Sequence, residues 1–407
     1  LKIGLLSYRS DPFSGGQGIY VKNVSESLLD RGHDITIFSG NPLPDVDKRI
    51  KVVEIETPGY FGTFDSLERL KIFRDQEKSR VNIWDFIETF TGTFTEPIFF
   101  GDRLLKNGEF LSTADSFDIF HDNQSISEYP ESVNKKLITT LHHPIHVDRD
   151  IDLANEKGFF KKLSIKRWYS FLNFQKNNLK NVKKIISPSR SSKRDICHYF
   201  EYPEKQISVI WNGIDLEDCQ FNERTSFKSS FVTIISSDVP MKNLKNIIKA
   251  LYLLKNEGKN ANLTIIGDLR SDNKKLIHDL DLNNEVVFKP KLPRNELVQT
   301  LNNADIGIAA SNYEGFGFPL VEMIATGLPV IVSEKASLPE LAGDAGLIFN
   351  PDSAEDLKEK MKELIQNEAL RDKLVSNSKI RRDDFFGWDE YAKKLEELFE
   401  EIISGNI

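Results

Sequence analysis

Cysteine is scarce in this sequence of 407 residues: only Cys197 and Cys219 occur. No metal-ligand spacing joins them, so a disulfide framework is not expected and a reducing compartment fits. Long apolar runs are missing too. None reaches the ~18 residues that a membrane-spanning helix needs, and no secretory leader is expected before LKIGLLSY. The expectation is a cytoplasmic protein, peripheral to the inner membrane face at most. An excess of positive charge is also lacking. The formal net charge is −8, which argues against nucleic acid as the main partner. Nor is there a solenoid repeat or a low-complexity tract.

What is present is a soluble globular composition, with 39% hydrophobic and 29% charged residues, and length enough for two or three domains. The charge is uneven. Residues 1–210 carry 30 basic and 29 acidic groups, whereas 211–407 carry 24 and 33. KIGLLSY (2–8), SGGQG (14–18), IYVKNVSESLLDRG (19–32) and DITIFSG (34–40) read as strand, glycine loop, helix and strand, a βαβ unit. Strands are predicted again at 117–122, 136–142, 183–189 and 206–213. A second series follows at 231–237, 261–268, 285–290, 304–311 and 328–334, alternating with helical segments such as 243–258. Two such series predict an α/β chain of two Rossmann-like domains, 1–210 and 211–387, facing each other across a cleft. A last helix, near 388–402, could pack on either domain.

The most informative stretch is SNYEGFGFPLVEMIATGLPVIVSE, residues 311–334. ADIGIAAS should end at the carboxyl edge of the second sheet, where ligands of such folds bind. Pro319 suits the first turn of the helix that follows, where a missing N–H costs nothing. Free amides near Phe318, Leu320 and Val321, with Gly315, Phe316 and Gly317 in the loop before them, would then form an anion site. Glu314 stands just before that site and Glu322 about one turn inside it. Carboxylates flanking an anion site do not bind the anion; they accept hydrogen bonds from hydroxyls. A nucleotide-sugar fits, with diphosphate at the helix start, sugar hydroxyls near Glu314 and ribose hydroxyls near Glu322. A bare pair of glutamates at this spacing is common on solvated helices, so the glycine loop, the proline and the preceding strand carry the reading.

These residues resemble the E-x7-E segment of retaining family 4 glycosyltransferases of the GT-B fold, and the resemblance runs almost end to end. SGGQGIYVKNVSESLLDRGHDITIFSG is similar to the family's amino-terminal glycine loop, LITTLHH to its catalytic-histidine segment, and ASLPELAGDAGLIFNP to its closing segment. KKIISPSRSSKRDI and ISVIWNGID resemble its interdomain segments. The resemblance implies a hydroxyl acceptor held by the amino-terminal domain and a nucleotide-sugar by the carboxyl-terminal one. It further implies that Gly15 and Gly16 lie against the donor and that His142 contacts the donor sugar. His143, next to it, is a lesser candidate. The full dinucleotide pattern G-x-G-x-x-G is absent after the first strand, so NAD is not expected. No cofactor is expected; the nucleotide-sugar is a substrate.

His142, His143 and His146 could suggest a metal, but the spacing lacks the further ligand or base of known motifs. DRDID (148–152) carries two D-x-D triplets; it does not end a strand and reads as a solvated loop. Without a divalent ion the diphosphate needs a cation, and Lys242 in VPMKNLKN, between a strand and a helix, is the natural choice. Here the chain departs from the family, which has an Arg where Ser237 stands and a Gly where Asn243 stands. Arg270 is a candidate replacement. Segment 157–184 holds nine basic residues, no acidic one and six aromatics. It reads either as a packed helix with lysines in water or as a surface for anionic lipid. Besides transfer to a lipid-linked or saccharide acceptor, the same site could serve a nucleotide-sugar epimerase, a sugar phosphorylase or a non-enzymatic sensor.

Overall fold

The computed structural model describes residues 1–11, 16–63, 65–222, 224, 226–235 and 237–405. The chain forms two compact units. The first comprises Leu1–Pro188, Lys193–Ile210 and the chain from Trp388 onward; the second comprises Ser189–Ser192 and Trp211–Gly387.

The first unit is built on a seven-stranded sheet. Its strands are β1 (Lys2–Ser7), β2 (Asp34–Ser39), β3 (Lys51–Glu54), β4 (Ile119–Asn123), β5 (Leu137–Thr140), β6 (Lys184–Ser187) and β7 (Ile207–Val209). They lie in the order β3-β2-β1-β4-β5-β6-β7, and every pairing is parallel. The second unit carries β8 (Ser230–Ile234), β9 (Asn262–Ile266), β10 (Val286–Lys289), β11 (Ile306–Ala309), β12 (Val330–Ser333) and β13 (Gly346–Phe349). Their order is β10-β9-β8-β11-β12-β13, again parallel. Each sheet reverses its strand order once, between β1 and β4 and between β8 and β11. Ligands of open parallel sheets bind beyond the carboxyl ends of such strand pairs.

Eleven of these strands coincide with the apolar runs of the sequence. The other two, β3 and β13, are four-residue edge strands with mixed burial, too short and too exposed to stand out. DRDID is not a loop: it forms part of the helix His146–Asn155. Its carboxylates are engaged there, Asp148 with His143 at 2.8 Å, Asp150 with Arg149 and the Tyr199 hydroxyl, and Asp152 with the Tyr169 hydroxyl.

The last helix, Trp388–Ile403, belongs to the first unit. Tyr391, Ala392, Leu395, Leu398, Phe399 and Ile402 recur at helical spacing and are buried. The Tyr391 hydroxyl meets that of Tyr20 at 2.8 Å, and Arg31 binds both Glu396 carboxylate oxygens at 2.8 and 2.7 Å. Such a two-pronged pair fixes the register of the helix as well as adding charge attraction.

Candidate active site

In the second unit, β8 and β11 end side by side. Above their carboxyl ends lies a depression of about 310 Å³, open to solvent, walled by Thr233–Ile235, Ile308–Ser311, Lys242, Glu314, Gly317 and Pro319. Gly317 precedes the helix Phe318–Ala325 with φ of 111°, a backbone state that a side chain resists. That turn lets the chain leave β11 and enter the helix with Pro319 in its first turn.

The amides are distributed differently from the sequence expectation. Leu320 and Val321 both donate to the Gly317 carbonyl, at 3.0 and 3.2 Å, so they are closed into the helix start. Among the described residues the N–H groups of Gly315, Phe316 and Gly317 have no acceptor. The glycine loop itself therefore presents the donors, with the positive end of the helix dipole behind it.

The Glu314 carboxylate accepts from Lys242 Nζ at 2.6 Å and from Ser311 Oγ at 2.7 Å, and Ser337 Oγ holds its carbonyl at 2.9 Å. Lys242 ends a short turn, Pro240–Lys242, and Asn243 after it has φ of 56°. The Gly that the family carries at Asn243 would adopt this state freely; Asn tolerates it better than most residues.

Glu322, about one turn into the helix Phe318–Ala325, is paired with Arg294, whose guanidinium also reaches Asp218 at 3.3 Å and Cys219 Sγ at 3.1 Å. Burial pushes the Glu322 carboxyl upward, and the Arg294 charge opposes that shift. Arg294 opens the helix Arg294–Asn302 and was not singled out by the sequence. Arg270 sits apart from these groups. Its backbone N–H donates to Asp238 at 2.9 Å, while its side chain is exposed and makes no ion pair among the described residues. Ser237, at the family's Arg position, is exposed.

In the first unit, β4 ends in His121, Asp122 and Asn123, all fully buried polar residues. His142 follows β5. Its Nε2 donates to Asn123 Oδ1 at 2.8 Å, and Asn123 Nδ2 donates in turn to Ser7 Oγ at 3.3 Å. The His142 amide donates to Gln124 Oε1 at 2.8 Å, and its ring packs edge-on against Tyr20 at 4.7 Å. Burial, with smaller contributions from His143 and His121, lowers its pKa to about 3, so the imidazole is neutral at physiological pH. Its fixed Nε2–H leaves Nδ1 as the acceptor nitrogen.

His146 does not join His142. It stacks on Tyr199 at 5.0 Å and meets Phe200 edge-on at 4.8 Å. Among the described residues no three His, Cys, Asp or Glu side chains are grouped as metal ligands. Gly15 lies outside the described residues; Gly16 is the exposed first residue of the helix Gly16–Asp30. Two positions on, a Cβ at Gly18 would stand 1.8 Å from the Asp11 carbonyl oxygen, so only glycine allows this close return of the loop.

A second cavity of the first unit, about 250 Å³, is lined by Thr57–Phe61, Asp85, Thr95, Glu96, Phe99 and Arg103. Glu96 accepts from Arg9 at 2.9 Å through one oxygen, and its other oxygen is buried without a partner. Burial raises the Glu96 carboxyl to about 7 against the pull of Arg9. No sequence pattern marked this carboxylate.

Two family profiles cover most of the chain. The profile of Glycosyltransferase Family 4 matches residues 14–218, and that of Glycosyl transferases group 1 matches residues 219–381. The chain belongs to Glycosyltransferase Family 4. The transferase is 29% identical over 414 residues to MMP alpha-(1->4)-mannosyltransferase of Mycolicibacterium hassiacum, covering 99% of each chain. It is 28% identical over 258 residues to the O-antigen chain mannosyltransferase RfbU of Salmonella typhimurium, covering 62% of this chain and 70% of that one. In structure the transferase resembles sucrose-phosphate synthase from Thermosynechococcus elongatus, with a TM-score of 0.71, 16% identity and 100% coverage of both chains. HepE of Anabaena in complex with UDP-glucose gives a TM-score of 0.64 at 16% identity, with 98% of this chain and 99% of that chain covered. The two parallel sheets and these neighbours place the transferase in the GT-B fold class.

Proposed function

We propose that this glycosyltransferase moves a sugar from a nucleotide-diphosphate donor to a hydroxyl acceptor, lipid-linked or saccharide, with retention at the anomeric carbon and without a divalent metal. The observation that carries the reading is the pairing at the β8–β11 switch point. Lys242 and Glu314 meet at 2.6 Å beside three loop amides that have no acceptor among the described residues. Lys242 and the amides of Gly315, Phe316 and Gly317 receive the diphosphate, and the helix dipole adds to their field. Leu320 and Val321 line the helix start beneath it. Glu314, once Lys242 turns to phosphate, is left to accept sugar hydroxyls. Glu322 takes the ribose hydroxyls. From the first unit, neutral His142 and the glycine loop at Gly15 and Gly16 serve the donor sugar, and the acceptor binds to that unit.

Retention is supported by the state of both glutamates. Glycosidases set two carboxylates on opposite sides of the scissile bond. Here Glu314 is bound by Lys242 and Ser311 and Glu322 by Arg294, and both belong to one loop–helix on the donor side. Neither is placed as a free nucleophile, so the leaving diphosphate itself takes the acceptor proton on the same face. Metal independence is supported by the cationic and amide donors already present, and by the engagement of every DRDID carboxylate with protein partners. Arg270 can reach a phosphate only by swinging from its exposed position. Two relatives are mannosyltransferases by name, so a mannosyl donor is the first to try.

Calorimetry with bare nucleoside diphosphates tests the assignment. Glu322→Ala weakens binding by about 1–3 kcal/mol, the worth of a charged acceptor. Glu314→Ala spares the bare nucleotide and damages turnover of the sugar donor. Unchanged affinity in Glu322→Ala removes that residue from the site. Product released without any acceptor, or only with phosphate, would favour an epimerase or a phosphorylase instead.

A further inference from the structure

The helix Arg80–Phe90 in the first unit turns Val81, Asp85 and Thr89 inward. At 100° per residue the opposite side carries Ile83, Trp84, Ile87 and Phe90, all exposed, Trp84 by 50% and Phe90 by 54%. Surface helices are normally polar on the outer side, and this one is apolar there. Helix Phe159–Trp168 has no buried residue, and Phe159, Phe160 and Leu163 stand 76%, 82% and 57% exposed. The two helices are neighbours: Arg167 binds Glu88 at 2.7 Å and the Thr91 hydroxyl at 2.6 Å. Trp84 lies four residues before Glu88 and Leu163 four before Arg167, so each shares a side with its end of the ion pair. The pair therefore joins the edges of two apolar faces. On the other flank Phe86 stacks on Phe73 at 4.2 Å, and the helix Ser66–Asp75 extends the face with exposed Leu67 and Leu70.

Charge decides what covers this surface. The helix Phe159–Trp168 carries Lys161, Lys162, Lys166 and Arg167 and no acidic residue, in a chain whose net charge is −8. Lys161, Lys162 and Lys166 interleave with the exposed rings of their helix. A second copy of the chain would set like charges against each other. Aromatic and leucine side chains among lysines, on helices too short to span a bilayer, suit an anionic lipid interface. We infer that this face of the first unit docks on anionic membrane, with Phe159, Phe160, Trp84 and Phe90 entering the interface and the lysines meeting headgroups.

The test is co-sedimentation of the full chain with vesicles of phosphatidylcholine alone or with about a quarter phosphatidylglycerol. Binding is expected only with the anionic lipid, and it should fade as salt rises from ~0.1 M to ~1 M and shortens the Debye length. The double variant Phe159→Ser/Phe160→Ser should bind at least about tenfold more weakly, because its rings leave the interface. Lys161→Glu/Lys162→Glu should lose the preference for anionic vesicles. All four side chains lie outside the donor site, so nucleotide affinity, measured in parallel, stays at the parent value and reports intact folding. Absence of binding to both vesicles, or parent-like binding by a double variant, overturns the inference. So does a parent that is dimeric in solution and that the phenylalanine variant converts to monomer.

Discussion

Glu322 and Arg294 lie 28 positions apart and meet only in the folded unit. Removing Arg294 leaves Glu322 buried without its cation, so its carboxyl rises further and is less ionised near neutrality. We expect Arg294→Ala to weaken nucleotide binding by about 1–3 kcal/mol and to make the affinity climb with pH between 6 and 8, unlike the parent. Calorimetry at the two pH values checks this; a flat, parent-like response would detach Arg294 from the site. Glu96 gives a second residue-level test. Its carboxyl is raised from 4.5 to about 7, so the folded state holds the proton more tightly than the unfolded one. Stability therefore falls as pH rises through that window. Glu96→Gln has no such loss, and its unfolding free energy should gain on the parent's between pH 5 and pH 8, by an amount on the order of 3 kcal/mol at most, as urea unfolding at the two pH values would show. A constant difference would contradict the burial of that charge. The placement of Glu314 in the loop after β11 and of Glu322 on the helix that follows was legible in the sequence, because strand, glycine loop and proline surround them within a few residues. Arg294 and Glu96 were not, since their partners are distant in the chain and each lies in an ordinary polar stretch.

At the scale of elements, the helix Trp388–Ile403 is the clearest case of a segment whose existence the sequence shows and whose docking it leaves open. Its apolar stripe predicts a helix, but a stripe of leucine and phenylalanine fits many surfaces. The docking depends on Tyr20, Arg31 and His33, which lie near the other end of the chain. Leu395 is fully buried in this contact. Leu395→Ala should cost about 2–5 kcal/mol, the usual range for a truncated core leucine. Urea unfolding would register it as a lower midpoint at constant slope; an unshifted midpoint would mean that the helix adds nothing to the first unit. The strands β3 and β13 escaped the sequence for a related reason. Edge strands of four residues have too few alternations to separate from loop. DRDID was misread because His146 alone of its helix is buried, so no apolar stripe announces the helix.

The whole molecule is a two-unit GT-B transferase in which the acidic excess lies in the half that would hold an anionic donor. On the proposed reading the field that receives the donor is local: one lysine, three loop amides and a helix start. Parallel strands, their order of appearance and the family were legible because buried parallel strands read as continuous apolar runs. Sugar, base and acceptor were not, because recognition through backbone atoms or solvent-facing loops leaves little trace in residue types. Lys242→Ala should lower kcat/KM by about two orders of magnitude or more, as removal of a charge-stabilising donor does elsewhere. The most direct measurement is a hydrolysis screen of UDP-, GDP- and ADP-sugars, mannosyl donors included, with and without EDTA, on the parent and on Lys242→Ala. One donor should be consumed, EDTA should leave the rate unchanged, and the variant should nearly abolish it. Consumption of no donor, a strict and restorable metal requirement, or full activity in Lys242→Ala would contradict the proposed function.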